Sequence, residues 1–488
     1  MLLVVSFALF GARLDVQHAV SKKMDAVLYD RRASPPLPTG DGWRAAADAV
    51  CDDAACPLLR PARLRAARCA PLGLPMFAPP PVACPVDLPL ADGSVVFVKT
   101  DVALRYLQVE AAAVAAGLRR PRQVVVSHNG DLPFTAAHAA TLSRCPHVAA
   151  FFAQNIDADA GHPRLHALPI GVENRQYRTG SVPAVFTRLP ADANWGWRMA
   201  VARYIAAGVT SGDAVAPDWL ARIGASPLVL VALTLSTNPA ARLAAVHAFA
   251  VTGAATVQVP ELAQEGLDLP SASPWYTDGR AVAAALQGWA PSLAARSPPL
   301  SLAAAAADLA AAVGDRGGMP PDVVAELAAV QSPDTAAKLQ AYFGSMARHI
   351  FVASPPGNGA QAHRTWEAAL AGAIPIVAAT GTLMDGVLEG VPSILVRDWS
   401  DATPVALLGA LLRMLVADAN TAAAAAPGGT PGVEWDPRLA LVPPHALTAE
   451  QADHLARSVF SRDRLTGAYW QARIDEARPP PVALPPFL

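Results

Sequence analysis

The sequence predicts an α/β chain whose parallel strands fall into two successive halves, and three observations carry that expectation. From Ser94 onward, short β-branched runs trade places with Ala- and Leu-rich stretches. The same alternation restarts at Pro227, after a connection containing Trp195, Trp197 and Trp219. Strands alternating with helices imply βαβ units and a mainly parallel sheet covered on both faces. Third, hydrophobic residues make up 53% of the 488 residues and charged ones only 16%, which suits large buried cores and excludes a disordered chain. Two Rossmann-like halves facing each other across a cleft are therefore expected.

Taken in order, residues 1–90 read as an N-terminal targeting or stem region containing Pro and Cys. Leu2 to Phe10 is apolar and has the length of a signal-peptide core, but no basic residue precedes it. A secretory signal, a buried strand and a misplaced start all fit. Cys51, Cys56, Cys69 and Cys84 form no CxxC pair, so two disulfides in an oxidising lumen or unpaired thiols are the alternatives, rather than zinc. Residues 91–225 should form the first domain, with strands VVFVK, QVVVS, HVAAFF and LHALPIG. Residues 226–440 should form the second, with strands PLVLVALT, ATVQV, HIFVAS, IPIVAA and PSILVRDW. Within it, 263–335 is Ala/Pro/Ser-biased and reads as a surface insertion. Trp399-Ser400-Asp401-Ala402-Thr403-Pro404 offers capping side chains ahead of a Pro in the first turn of a helix. Residues 441–488 end in an amphipathic helix expected to pack back on the first domain.

The formal charge of -2 argues against a nucleic-acid partner, which would need a basic face. No run approaches the roughly 18 apolar residues of a spanning helix, so any membrane association would be through the N-terminus. Asp157-Ala158-Asp159 spells DxD but lies in an Ala/Asp-rich connection, where chance explains it better than a metal. No metal and no cofactor is expected.

Ligands of open parallel sheets bind beyond the carboxyl ends of the strands, which selects the loops to inspect. In the first half, Ser127, His128, Asn129 and Asp131 follow one strand, Gln154 and Asn155 another, and Glu173 and Asn174 a third. Such groups suit sugar hydroxyls, although Asn, Gly and Asp are also good turn formers.

The strongest signal is HIFVASPPGNGAQAHRTWEAALAGAIPIV, residues 349–377. Pro355 and Pro356 stop a strand, because neither can donate to a ladder. Gly357, Asn358 and Gly359 then form a loop running into a helix, where backbone N–H groups and the helix N-terminus favour an anion. His363 and Arg364 in the first turns can reach a diphosphate, Arg with a planar fork. Glu367 lies on the His363 face and can accept both hydroxyls of a ribose. Thr237, Asn238 and Arg242, after the first strand of this half, could flank the same diphosphate. Neither a Walker A loop nor a dinucleotide fingerprint is spelled, and no G-x-S-x-G elbow occurs.

SPPGNGAQAHRTWEAALAGAIPIV with SILVRDW, together with FVKTD, VVVSHNGDLP, FFAQNID, LHALPIGVEN and LSTNPAAR, resembles the exostosin-like glycosyltransferases, a group of the family 47 type. The resemblance covers most of residues 95–400, with a poor match over 180–340 apart from LSTNPAAR. It implies a GT-B fold and inverting, metal-independent transfer from a nucleoside-diphosphate sugar, such as a UDP-sugar, to a glycan or glycoprotein acceptor. A Golgi or ER lumen is implied as well. By the same resemblance Arg364 and Glu367 hold diphosphate and ribose, while Pro356 stands where some relatives carry an Arg. For the base, Asp131 comes first, then His128, then Glu173. A degenerate protein that binds sugar or nucleotide without turnover is the main alternative. A phosphorylase or epimerase is disfavoured because Lys is scarce near these loops.

Overall fold

The computed structural model describes residues 43–52, 90–172, 186–211, 228–258, 301–315, 319–415 and 465–479, apart from positions 45, 158, 187, 236, 253, 254, 404, 405 and 466. It is an α/β protein with two five-stranded sheets, all of whose pairings are parallel. The chain divides into two compact units, one of residues 1–181, 382–387 and 466–488, the other of 182–381 and 388–465. Among the described residues no helix is long and apolar enough to cross a membrane.

The first unit runs β1 (Ala49–Cys51), β2 (Ser94–Lys99), α1 (Thr100–Ala115), β3 (Gln123–His128), α2 (Ala136–Ser143), β4 (Val148–Ala153) and β5 (Leu165–Ala167). Its strands lie side by side in chain order, so every crossover steps the same way. The six residues of β3 are all buried, as a strand covered on both faces should be. Trp43, Phe97, Val124, Val126, Phe152 and Leu168 form one core cluster, and it includes Ile474 from α9 (Gly467–Glu476). At the amino-terminal side of β3 and β4, the Glu110 carboxylate takes both Arg120 Nε and Nη2 at 2.7 and 2.6 Å and His147 Nε2 at 3.0 Å. Burial opposes the charge, but the hydrogen bonds of His147 and Arg120 outweigh it and hold the carboxyl below its usual range. Cys51 is disulfide-bonded, its partner lying outside the described residues. Cys145 is free and buried, and burial pushes its thiol up to about 11, which makes it inert.

The second unit runs α3 (Ala191–Ser211), β6 (Val229–Ala232), α4 (Pro239–Thr252), β7 (Ala255–Gln258), α5 (Leu302–Asp315), α6 (Pro321–Val330), α7 (Pro333–Arg348), β8 (Phe351–Ser354), α8 (His363–Leu370), β9 (Ile374–Ala378) and β10 (Ile394–Val396). The boundary falls after residue 181, not at 225. The reason is α3, whose Trp197, Met199, Val201 and Ile205 share a core with Val229, Val231, Phe351 and Ile376. The stretch expected as a surface insertion also changes status over its described part. Ala305 of α5 is buried, Leu309 joins the same core, and Val323 and Leu327 of α6 are fully buried. Alanine-rich helices bury little area per residue, yet their small side chains permit close approach to a neighbour.

Sheet order here is β10-β9-β8-β6-β7. From β6 the chain steps to β7 on one side, then returns to β8 on the other and continues outward through β9 to β10. That reversal between β6 and β8 is a topological switch point.

Helix α8 ends in a Schellman motif. Ala373 N–H donates to Ala368 C=O at 2.8 Å and Gly372 N–H to Ala369 C=O at 2.9 Å. Gly372 has φ +74°, and a Cβ there would sit 2.5 Å from the Ala191 carbonyl oxygen and 2.9 Å from Asn194 Cβ. Gly372→Ala therefore meets both a left-handed backbone and a rigid neighbour. It should lower unfolding free energy by about 2–3 kcal/mol in urea melts. A loss below about 0.5 kcal/mol would show that α3 yields freely at this point.

Candidate functional site

All strands of each sheet are parallel, so within each unit their carboxyl ends lie along one edge. In the second unit, β6 is followed by Leu233–Asn238 and β8 by Pro355–Ala362, and these two loops flank the switch point. They are tied together directly. Asn238 Nδ2 donates to the Gly357 carbonyl at 3.0 Å, and Asn238 itself holds a left-handed φ of 46°. That conformation is open to Asn because its short polar side chain bonds locally, here accepting from Ala241 N–H at 3.4 Å. Arg242, one turn into α4, is 8% exposed and donates through Nη1 to Thr234 C=O at 2.7 Å. A Cβ at Gly357 would lie 3.5 Å from its Nη2, so guanidinium and glycine loop are neighbours. Thr237 is half-buried beside Asn238, and Ser236 lies outside the described residues.

The sequence places Gly357, Asn358 and Gly359 in a loop leading straight into a helix. In the structure three residues, Ala360 to Ala362, intervene before α8 opens at His363. Ala362 is the N-cap and supplies no capping side chain, while its carbonyl accepts from Thr365 N–H at 3.0 Å. Ser354 Oγ and Thr365 Oγ1 are hydrogen-bonded at 2.7 Å, which pins the end of β8 to the first turn of α8. Asn358 is exposed, Gly357, Gly359, His363 and Arg364 are half-buried, and Glu367 is buried.

Two observations define the chemistry. Arg364 Nε is a buried donor with no hydrogen-bond acceptor among the described residues. Arg203 Nε on α3 is in the same condition, so the unmatched Arg364 N–H can take an added acceptor but does not by itself mark a site. Second, Tyr342 of α7 donates its hydroxyl to Glu367 Oε2 at 2.8 Å. Burial, and after it the Glu367 charge, holds the Tyr342 hydroxyl well above its usual range, so it stays a neutral donor. Nothing local in the sequence marks Tyr342; it stands twenty-five positions from its partner and inside a helix patterned for packing.

In the first unit the polar groups at the carboxyl ends of β3 and β4 bond to one another. Asn129, with φ 62°, donates its N–H to Gln154 Oε1 at 3.0 Å. The Gly130 carbonyl accepts from Gln154 Nε2 at 2.6 Å and Asn155 Nδ2 at 3.2 Å. Gln154 and Asn155 are buried, so their amides hold the turn after β3 as well as lying at the strand edge. Ser127 is buried within β3. His128 Nε2 is 3.0 Å from the Pro169 carbonyl and must donate to it; Nδ1 lies 3.3 Å from Asn129 Oδ1. With Nε2 donating, Nδ1 of the neutral ring is an acceptor, so its contact with the Asn129 oxygen is a hydrogen bond only when the buried ring is protonated. Asp131 is exposed. A Cβ on Gly130 would collide with Thr100 Oγ1 and lie 2.7 Å from Asp101 Oδ1, so the ends of β2 and β3 are in contact and Gly is required there. Glu173 and Asn174 lie outside the described residues.

No known protein family matches this chain, and no curated protein does. Asp157 donates its backbone N–H to Phe134 C=O at 3.0 Å in the connection after β4. Among the described residues no three His, Cys, Asp or Glu side chains are grouped as metal ligands would be.

Proposed function

We propose that this protein is a glycosyltransferase of the GT-B class that transfers a sugar from a nucleoside-diphosphate donor, a UDP-sugar in the first instance, to a glycan or glycoprotein acceptor. The observation that carries the proposal is the buried Arg364 Nε with no acceptor, set beside a glycine loop at the switch point of a parallel sheet. A diphosphate supplies what that position lacks. Its oxygens accept from Arg364, the uncapped first turn of α8 adds positive potential, and Arg242 stands across the loop beside Gly357. Glu367, one turn into α8, offers carboxylate oxygen to a ribose diol.

In the proposed single displacement, an acceptor oxygen forms a bond to the anomeric carbon as the bond to the diphosphate oxygen breaks. The acceptor proton passes to a base and the leaving diphosphate retains the electron pair. Preorganised donors aimed at that developing charge are the electrostatic means available. Asp131, exposed in the first unit, is the candidate base, because His128 is buried with Nε2 committed to the Pro169 carbonyl. That internal engagement of His128, Gln154 and Asn155 also favours one rival, a protein that binds the sugar nucleotide without turnover. Incubation with UDP-glucose, UDP-galactose, UDP-xylose, UDP-glucuronate and UDP-N-acetylglucosamine, followed by detection of free UDP, separates the two. Slow hydrolysis that Asp131→Asn suppresses supports the enzyme; saturable binding with no UDP release supports the binding protein. Absence of binding by every nucleotide sugar rejects both.

A further inference from the structure

Thr135-Ala136-Ala137-His138 opens α2, at the end of the loop that leaves β3. Thr135 is the N-cap, and the two residues form a capping box in which each side chain accepts from the other's backbone N–H. Thr135 N–H reaches His138 Nδ1 at 3.1 Å, and the Thr135 hydroxyl lies 2.9 Å from the same nitrogen. A backbone N–H can only donate, so Nδ1 carries the lone pair and the ring is neutral with its proton on Nε2. Capping boxes ordinarily place Glu or Gln at this position. A Glu keeps accepting down to about pH 4 and a Gln at any pH. Histidine turns the same cap into one that a proton cancels near neutrality.

The His138 ring is buried, against Phe134 at 4.9 Å between ring centroids. Burial pushes its pKa down. The charged side chains of the adjoining segments, Asp131 in the loop, Arg144 after α2 and Asp157 after β4, contribute nothing to that shift. With the folded value lowered, the cap contributes fully above the ordinary imidazole value of about 6.5 and is lost as pH falls through the lowered one. A protonated Nδ1 would set its N–H against Thr135 N–H, leaving only the hydroxyl as acceptor. Phe134, in the same loop, donates to Asn155 C=O at 2.8 Å and accepts from Asp157 N–H at 3.0 Å. The cap therefore joins α2 to a segment lying across the carboxyl ends of β3 and β4.

We propose that His138 is a pH-sensitive cap: neutral, it ties the first turn of α2 to the loop bearing Asp131; protonated, it releases that turn, so the carboxyl edge of the first sheet loosens in acid. The device stands whether or not Asp131 serves as a base, since it needs no ligand.

Hydrogen exchange of the full chain, corrected for the intrinsic pH dependence of exchange and read by peptide mass, tests it without substrate. Between about pH 7.5 and about pH 5, protection over residues 134–140 should fall roughly threefold to tenfold, the worth of a helix cap. Residues 103–111 of α1 should keep theirs. His138→Gln supplies the non-titrating acceptor of the ordinary box, so its protection should match the parent's at the higher pH and change by less than about twofold across the range. His138→Ala should be weakly protected at both values; if it fails to fold, the parent and the Gln variant decide alone. Equal protection of the parent at both pH values overturns the proposal. So does a Gln variant that falls in step with the parent, which would place the titration elsewhere, or one unprotected throughout, which would make ring packing the role of His138. A simultaneous loss in α1 would mean general acid unfolding and overturns it too.

Discussion

Arg364→Met should weaken binding of a UDP-sugar by roughly tenfold to a hundredfold, the effect of removing a hydrogen bond to a charged group. The side chain is half-buried, its Nε is enclosed without an acceptor, and it stands in the first turn of an uncapped helix. In the unliganded protein Nε is unmatched while the guanidinium also bonds the Tyr342 hydroxyl, so deleting the group should leave the fold intact and its melting temperature little changed. Titration with UDP and with pyrophosphate, beside a thermal melt, checks both halves. Arg364→Lys should recover part of the affinity, because charge remains while the planar fork is lost. Equal affinity of the Met variant and the parent for both probes would remove Arg364 from the donor site.

Arg198→Met should destabilise the second unit by about 3–5 kcal/mol, the range for stripping a buried charge out of its hydrogen-bonded setting. Arg198 is fully buried on α3 and donates to the carbonyls of Asn194 at 2.6 Å, Met346 at 2.8 Å, His349 at 2.5 Å and Ile350 at 3.2 Å. Three of these belong to the last turn of α7 and the residues leading into β8. They are the orphan carbonyls of a helix end, and here a guanidinium from another helix satisfies them. Methionine matches the length but leaves those oxygens buried without donors. Denaturant unfolding followed by tryptophan fluorescence measures the loss, and a change under about 1 kcal/mol would show that water replaces the guanidinium.

Much of the strand content was legible because a parallel strand covered on both faces must read as a continuous apolar run. QVVVSH, HVAAFF, VLVA and HIFVAS all do, and Pro355–Pro356 marks where β8 stops. The glycine loop and the His363–Glu367 spacing were legible for a similar local reason. Partners far apart in sequence were not. Tyr342 reaches Glu367, and Arg198 reaches Met346, only because helices from separate segments pack together. Alanine composition misled as well, since Leu309 and Ala305 give α5 a buried face that its bias concealed. The amides of Gln154 and Asn155 carry no hint in sequence of whether they face a ligand or a neighbouring turn. Only the position of the Gly130 carbonyl reveals the turn as their partner.

The presence of Ile474 among Trp43, Phe97 and Val124 has a consequence for biosynthesis. A ribosome releases β1 through β5 long before it makes α9, and it makes the whole second sheet in between. Until α9 is made, the part of that core which Ile474 fills is uncovered. During that interval the first unit is a natural client for holding chaperones, and a stop codon ahead of Gly467 should produce a chain whose second sheet can form while the first stays prone to aggregation.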